Sequence, residues 1–209
     1  MARTVVKVCG LTRVEDARTA LDAGADWLGF VLKDVGPRRI EADAAARIVE
    51  TLGDVTAVAV MVAPSPAEAE RLARAARATR VQLHRVDPAA WPADFPLPVT
   101  FAIPVGENGA LRSSAPAPPH VTLLDTAHPT LAGGTGRSFA WDAVAALAAT
   151  RDVMIAGGLD GDNVAAAIAK VRPFGVDASS RLEVAAGIKD PERVRRFVAA
   201  VRACEAPER

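Results

Sequence analysis

The chain has no tyrosine, three tryptophans and six phenylalanines among its 209 residues. Its core must therefore be built from aliphatic side chains and alanine. Cysteine is nearly absent too, with only Cys9 and Cys204. Cys9 ends an apolar run and Cys204 lies near the end of the last helical pattern. A disulfide would need those ends to meet, and a reducing compartment disfavours one. No CxxC, HExxH or clustered His/Cys spacing occurs, so no metal site is expected. Neither sign of charge is in excess, with 25 basic and 25 acidic residues. That argues against a nucleic-acid partner but leaves room for a local anion pocket. No apolar stretch approaches the ~20 residues of a membrane span, and "MARTVVKVCG" lacks a secretory hydrophobic region. The expectation is a soluble cytoplasmic protein, monomer or homodimer, without membrane contact.

What is present is a rhythm. Strand-like runs recur at Val5–Cys9, Trp27–Leu32, Thr56–Val62, Arg80–His84, Val99–Val105, Val121–Thr126, Val153–Gly157 and Gly175–Ser179. Most are continuously apolar rather than alternating, the mark of strands buried on both faces in a parallel sheet. Helical patterns separate them. Thr12 with Glu15 reads as a capping box and Gly24 as a stop. Ser65-Pro66 with Glu68, and Asp190-Pro191-Glu192, each read as a cap, a first-turn proline and an acid. "WDAVAALAA" and "GDNVAAAIAKV" are helical by composition and spacing. The segments after the fourth and fifth strands, "DPAAWPADFPLP" and "ENGALRSSAPAPP", are proline-rich and predict no more than a turn or two of helix. The second could be an interdomain linker, but the strand rhythm resumes beyond it. Eight βα units over residues 1–209 predict a single (β/α)₈ barrel domain. The alternative is an open doubly wound sheet, disfavoured because no GxGxxG follows the first strand.

In such a barrel the carboxyl ends of all strands meet on one face. The residues there are Cys9, the segment from Phe30 to Arg38, His84, Asp125, Gly157-Gly158 and Ser179-Ser180. A carboxylate ending "VTLLD" is costly unless solvated, paired or functional. Asp125 is thus either a structural cap or an acid–base group, and Cys9 either a small core residue or its partner in acid–base chemistry. Glycines ending strand seven, with Ser179 and Ser180 ending strand eight, would let backbone N–H groups approach a phosphate. "LAGGTGRSFAW", with Gly133 and Gly134, lacks a P-loop lysine and reads as a lid. Arg38 reads as a surface arginine or as a fork for a carboxylate. His84 is either a satisfied barrel-top histidine or a ligand contact.

The stretches "KVCGLT", "DWLGFVL…GPR", "VQLH", "LLDT", "GGTGRSFAW", "AGGLDGDNV" and "GVDASSRLE…GIKDPERVRRF" resemble, in this order, the phosphoribosylanthranilate isomerase family of tryptophan biosynthesis, from about Lys7 to Phe197. The resemblance implies a cofactor-free (β/α)₈ enzyme that converts a phosphorylated aminoaldose to an aminoketose by an Amadori rearrangement. It implies Cys9 as general base, Asp125 as general acid, and Arg38 as the grip on the anthranilate carboxylate. The sugar phosphate would lie on the backbone around Gly157, Gly158, Ser179 and Ser180. Both catalytic groups would start in a minority state. A free thiol is only about 3% thiolate at pH 7, and an ordinary carboxyl is protonated about once in a thousand. Raising that carboxyl to near 7 costs about 4 kcal/mol, which burial and a neighbouring phosphate could impose.

The rim departs from the family pattern. Gly36 stands where serine is usual, Ala63 where asparagine is, and Arg85 where glycine is. Arg181 also replaces a usual glycine. It would either add a cation to the phosphate or crowd the cradle, if that backbone needs glycine's conformation. The expectation is that the chemistry is kept. The alternatives are a related aminoaldose-phosphate isomerase of altered substrate and an inactive paralogue that only binds a phosphorylated ligand.

Overall fold

The computed structural model describes residues 3–34, 36–106, 111, 113–125 and 144–205. Eight parallel strands close into a barrel in the order β1 to β8, with β1 pairing both β2 and β8. They are β1 Val5–Val8, β2 Trp27–Lys33, β3 Thr56–Val62, β4 Arg80–His84, β5 Val99–Pro104, β6 Val121–Asp125, β7 Val153–Ala156 and β8 Gly175–Ala178. Closure of β8 on β1 excludes the open sheet. Every expected strand is found within a residue or two at either end, with Thr126 outside the described residues.

The helices are α1 Val14–Ala23, α2 Ala42–Leu52, α3 Pro66–Ala75, a helical stretch at residues 144–148 (α4), α5 Val164–Val171 and α6 Pro191–Arg202. Two caps form as the sequence predicts. Glu68 N donates to Ser65 Oγ at 3.2 Å, and Glu192 N and Arg193 N donate to Asp190 Oδ1. Gly24 ends α1 in the left-handed region, at φ 99°. The expected Thr12–Glu15 capping box does not form. The N-cap of α1 is Arg13, with no side-chain cap. Thr12 Oγ1 instead donates to Gly187 O at 2.6 Å, tying this turn to a hairpin 175 residues away. That hairpin, β9 Glu183–Ala185 with β10 Ile188–Lys189, is antiparallel and follows β8.

The proline-rich segments behave as their composition demands. After β4 there is one 3₁₀ turn, Pro88–Ala90, and after β5 no helix occurs among the described residues. Aromatic packing covers the barrel there instead. Trp91 lies 5.2 Å from Phe95 and 6.3 Å from Phe101, both edge-on, an arrangement aromatic quadrupoles favour.

Two buried clusters divide the strands by parity. Val6, Val8, Leu28, Phe30, Phe101, Ile155 and Val176 face the helices. Cys9, Val58, Val60, Leu123, Met154 and Ala156 face the lumen. At the amino-terminal end of the lumen the Arg80 guanidinium lies 4.2 Å over Trp27, which packs on Phe174. This cation–π stack closes the barrel floor. Among the described residues no helix is long and apolar enough to cross a membrane.

Candidate active site

Alternation along a strand decides which side chains share the lumen. On β1, Val5, Lys7 and Cys9 share one parity. Lys7 is in register with Trp27 of β2 and Asp177 of β8. Asp125 on β6 is in register with Ala156 of the lumen cluster, and His84 on β4 with Ala102. Cys9, His84 and Asp125 therefore all face inward at the carboxyl ends of their strands.

Cys9 is buried, and burial pushes its thiol above the ordinary range. Lys7 opposes that push by charge and by hydrogen bonding to the sulfur, and Lys189 adds a weaker opposition. Gly29 gives the two groups room: a Cβ there would lie 2.8 Å from Cys9 Sγ and 3.0 Å from Lys7 Nζ. Lys7 Nζ is 2.9 Å from Asp177 Oδ2, and both side chains are buried. Burial works against the ammonium, but Asp177 and the thiol outweigh it and Lys7 is held above its usual range. Burial pushes the Asp177 carboxyl up while Lys7 pulls it down. Lys7 holds the proton of this pair, because the ammonium has an anion at hydrogen-bond distance. Asp125 is pushed above the carboxylate range, first by burial and then by the charge of Asp177.

Arg38 is not a free surface arginine. Its Nε and Nη2 fork onto Glu183 at 2.9 and 2.7 Å. Lys189 Nζ reaches the same carboxylate at 2.7 Å and is fully buried. Burial pulls Lys189 down, whereas the bonds from Arg38 and Lys189 overcome burial to hold Glu183 below its ordinary range. The pair is ionised, because two cations converge on one carboxylate. Gly10, at φ 73°, lets this arginine cross the end of β1; a Cβ there would meet Arg38 Cδ at 2.8 Å and Ser179 Oγ at 2.9 Å.

Gly157 and Gly158 follow β7 at φ 94° and 64°, a left-handed pair that L side chains adopt only with strain. The loop beyond is braced from inside. Asn163 Nδ2 donates to Gly158 O at 2.8 Å, Asp160 N donates to Asn163 Oδ1, and Asp160 Oδ1 accepts from the backbone of Asp162 and Asn163. Ser179 receives a bond from Lys189 Nζ on its carbonyl, and Ser180 opens the 3₁₀ turn Ser180–Leu182. Arg181 lies across from this loop, 3.6 Å from Asp160 Oδ2. The non-glycine residues at positive φ among the described residues are Ala63, Arg77, Arg85 and Arg172. Arg181 is not one of them, so its position does not require glycine's conformation. His84 Nε2 lies 2.9 Å from Gln82 Nε2. Burial and Lys7 lower its pKa to about 4, so the imidazole is neutral near pH 7.

Gly133 and Gly134, with the whole proposed lid at residues 131–141, lie outside the described residues. Among the described residues no group of three His, Cys, Asp or Glu side chains is arranged to hold a metal ion. Sequence reasoning missed Lys7, Asp177, Glu183 and Lys189. Lys7 and Asp177 could have been found, because a lone charge inside a strand buried on both faces requires a partner.

Fold and lumen together define a (β/α)₈ barrel equipped for acid–base chemistry at its carboxyl-terminal face. The model of the N-(5'-phosphoribosyl)anthranilate isomerase family matches residues 6–200. The chain is 40% identical over 194 residues to the N-(5'-phosphoribosyl)anthranilate isomerase of Pelobacter propionicus, covering 92% of this chain and 93% of that protein. Its fold superposes on the phosphoribosyl anthranilate isomerase of Thermus thermophilus with a TM-score of 0.82 at 36% identity, covering 97% and 100% of the two chains. A further match is a phosphoribosyl anthranilate isomerase in complex with reduced 1-(o-carboxyphenylamino)-1-deoxyribulose 5-phosphate (TM-score 0.77, 28% identity, 96% and 99% covered). The chain belongs to the N-(5'-phosphoribosyl)anthranilate isomerase family.

Proposed function

We propose that this chain isomerises N-(5'-phosphoribosyl)anthranilate to the 1-deoxyribulose 5-phosphate aminoketose in tryptophan biosynthesis, with Cys9 as base and Asp125 as acid. Asp125 gives its proton to the furanose ring oxygen as the C1–O bond breaks. The anthranilate nitrogen supplies the electron pair that makes the Schiff base. The Cys9 thiolate then removes the proton from C2, giving the enolamine, which tautomerises to the ketone. One proton is given and one taken, so the protein's proton count is unchanged over a turnover. The observation that carries these roles is the pairing of a buried thiol and a carboxyl raised by burial, both lumen-facing at the carboxyl ends of β1 and β6.

Arg38 grips the anthranilate carboxylate, its orientation fixed by the fork onto Glu183. The left-handed Gly157-Gly158 turn, with the backbone of Ser179 and Ser180, receives the sugar phosphate, and the half-exposed Arg181 adds a cation beside it. His84, neutral near pH 7, offers a polar contact at the rim.

The test is direct. Purified protein is mixed with freshly generated phosphoribosylanthranilate and the loss of substrate fluorescence is followed for wild type, Cys9→Ala and Asp125→Asn. Turnover by the wild type that disappears in both variants supports the roles. Full turnover by either variant removes that residue from the chemistry.

A further inference from the structure

Two buried charges have no part in the steps above. Lys7 is 1% and Asp177 6% exposed, in a lumen that barrels of this kind usually fill with branched aliphatic side chains. Stability does not account for them, because apolar residues of similar volume often replace a buried ion pair at no net cost. Their placement is specific. Lys7 precedes Cys9 by two residues on β1, so both face the lumen, and Asp177 is the register partner of Lys7 on β8. The sulfur and the ammonium both crowd Gly29, where a Cβ would lie 2.8 Å from Cys9 Sγ and 3.0 Å from Lys7 Nζ. Asp177 Oδ2 takes Lys7, while Oδ1 is buried with no hydrogen-bond partner among the described residues.

We propose that Lys7 and Asp177 are positioning residues for proton transfer, an oriented ion pair whose ammonium favours the Cys9 thiolate and whose carboxylate favours protonated Asp125. This rests on the acid–base reading of Cys9 and Asp125 and deepens it. The reaction needs the thiol ionised while the carboxyl keeps its proton, yet burial raises both groups. With the thiol titrating above the carboxyl, the competent fraction between the two pKa values falls tenfold for each unit of the gap. An ion pair whose cation acts more strongly on one group and whose anion acts more strongly on the other narrows the gap from both ends. At Cys9 the influence of Lys7 exceeds that of Asp177; at Asp125 the order is reversed. Other charges act on Cys9 as well, Lys189 from β10 and Arg38 from beyond β2. His84, on β4, faces Lys7 together with Asp34 and Arg85. Lys189 and Arg38 are cations and favour the thiolate; of the groups acting on Asp125, Asp177 is the anion.

The experiment compares Lys7→Met/Asp177→Leu with the parent, both in a Cys204→Ser background. It measures the pH profile of kcat/KM and titrates Cys9 by the ultraviolet absorbance of its thiolate. The substrate phosphate titrates alike in both proteins and drops out of the comparison. The expected result is a thiol titration and an alkaline limb both displaced upward, an acid limb displaced downward, and a plateau lower by tenfold for each pH unit of widening. A lower plateau with unmoved limbs would overturn the proposal and leave the pair a structural element; an unchanged plateau would overturn it outright. Lys7→Arg keeps the cation, and its limbs stay in place whatever its turnover; limbs that move in it sink the proposal even if the double variant does not fold. A displaced thiol titration with an unmoved alkaline limb would instead remove Cys9 as the base.

Discussion

His84 provides a stability prediction whose size follows from one number. Burial and the neighbouring Lys7 lower its folded pKa from 6.5 to about 4. Below pH 6.5 the unfolded chain takes up a proton that the folded chain refuses until near pH 4. The stability associated with neutral His84 is therefore fully present above pH 6.5 and lost as the pH falls toward 4. At about 1.4 kcal/mol per pH unit, the whole window is worth about 3 kcal/mol, of which about 2 kcal/mol falls between pH 7 and pH 5. Urea unfolding of the wild type and of His84→Gln at both pH values isolates it. The variant carries a constant offset from its altered contact with Gln82, while the raised carboxyls Asp125 and Asp177 titrate in both proteins and cancel. The free-energy difference between the two proteins should shrink by about 2 kcal/mol on going from pH 7 to pH 5. A difference that stays constant across that range would refute the reasoning and place the imidazole in contact with water or an anion.

Other consequences can be measured independently. Ala63 and Arg85 hold positive φ, at 46° and 54°, so Ala63→Gly and Arg85→Gly should each stabilise by about 1 kcal/mol, read as a Tm rise of roughly 2–4 °C. Glu183→Gln leaves buried Lys189 without its anion and Arg38 without its fork; it should cost about 3–5 kcal/mol by urea unfolding and raise KM for the substrate at least about tenfold. Asp190→Ala removes the cap of α6 and should cost about 1 kcal/mol with kcat unchanged.

The strands were legible because a parallel barrel buries both faces of each one, leaving apolar runs such as "TAVAVMV" that composition alone marks out. Caps were legible where the partner lies within the same turn, as at Ser65 and Asp190. Thr12 was misread because its hydroxyl is taken by Gly187, a contact that no local pattern encodes. The β9–β10 hairpin is too short to announce itself, and it carries Glu183 and Lys189, the residues that turn Arg38 from a surface arginine into an aimed one. Lys7 and Asp177 were hidden in plain view: "VVKV" and "GVDA" read as strands, and the charge inside each was absorbed into the run. The closed register that makes them partners exists only once β8 has met β1.

The most direct test of the account is a crystal structure of this chain with reduced 1-(o-carboxyphenylamino)-1-deoxyribulose 5-phosphate bound. The account predicts Cys9 Sγ within about 3.5 Å of C2, and the Asp125 carboxyl at hydrogen-bond distance from the oxygen released by ring opening. A bound ligand that leaves either side chain out of reach, or that lies elsewhere than the carboxyl-terminal mouth of the barrel, would contradict it.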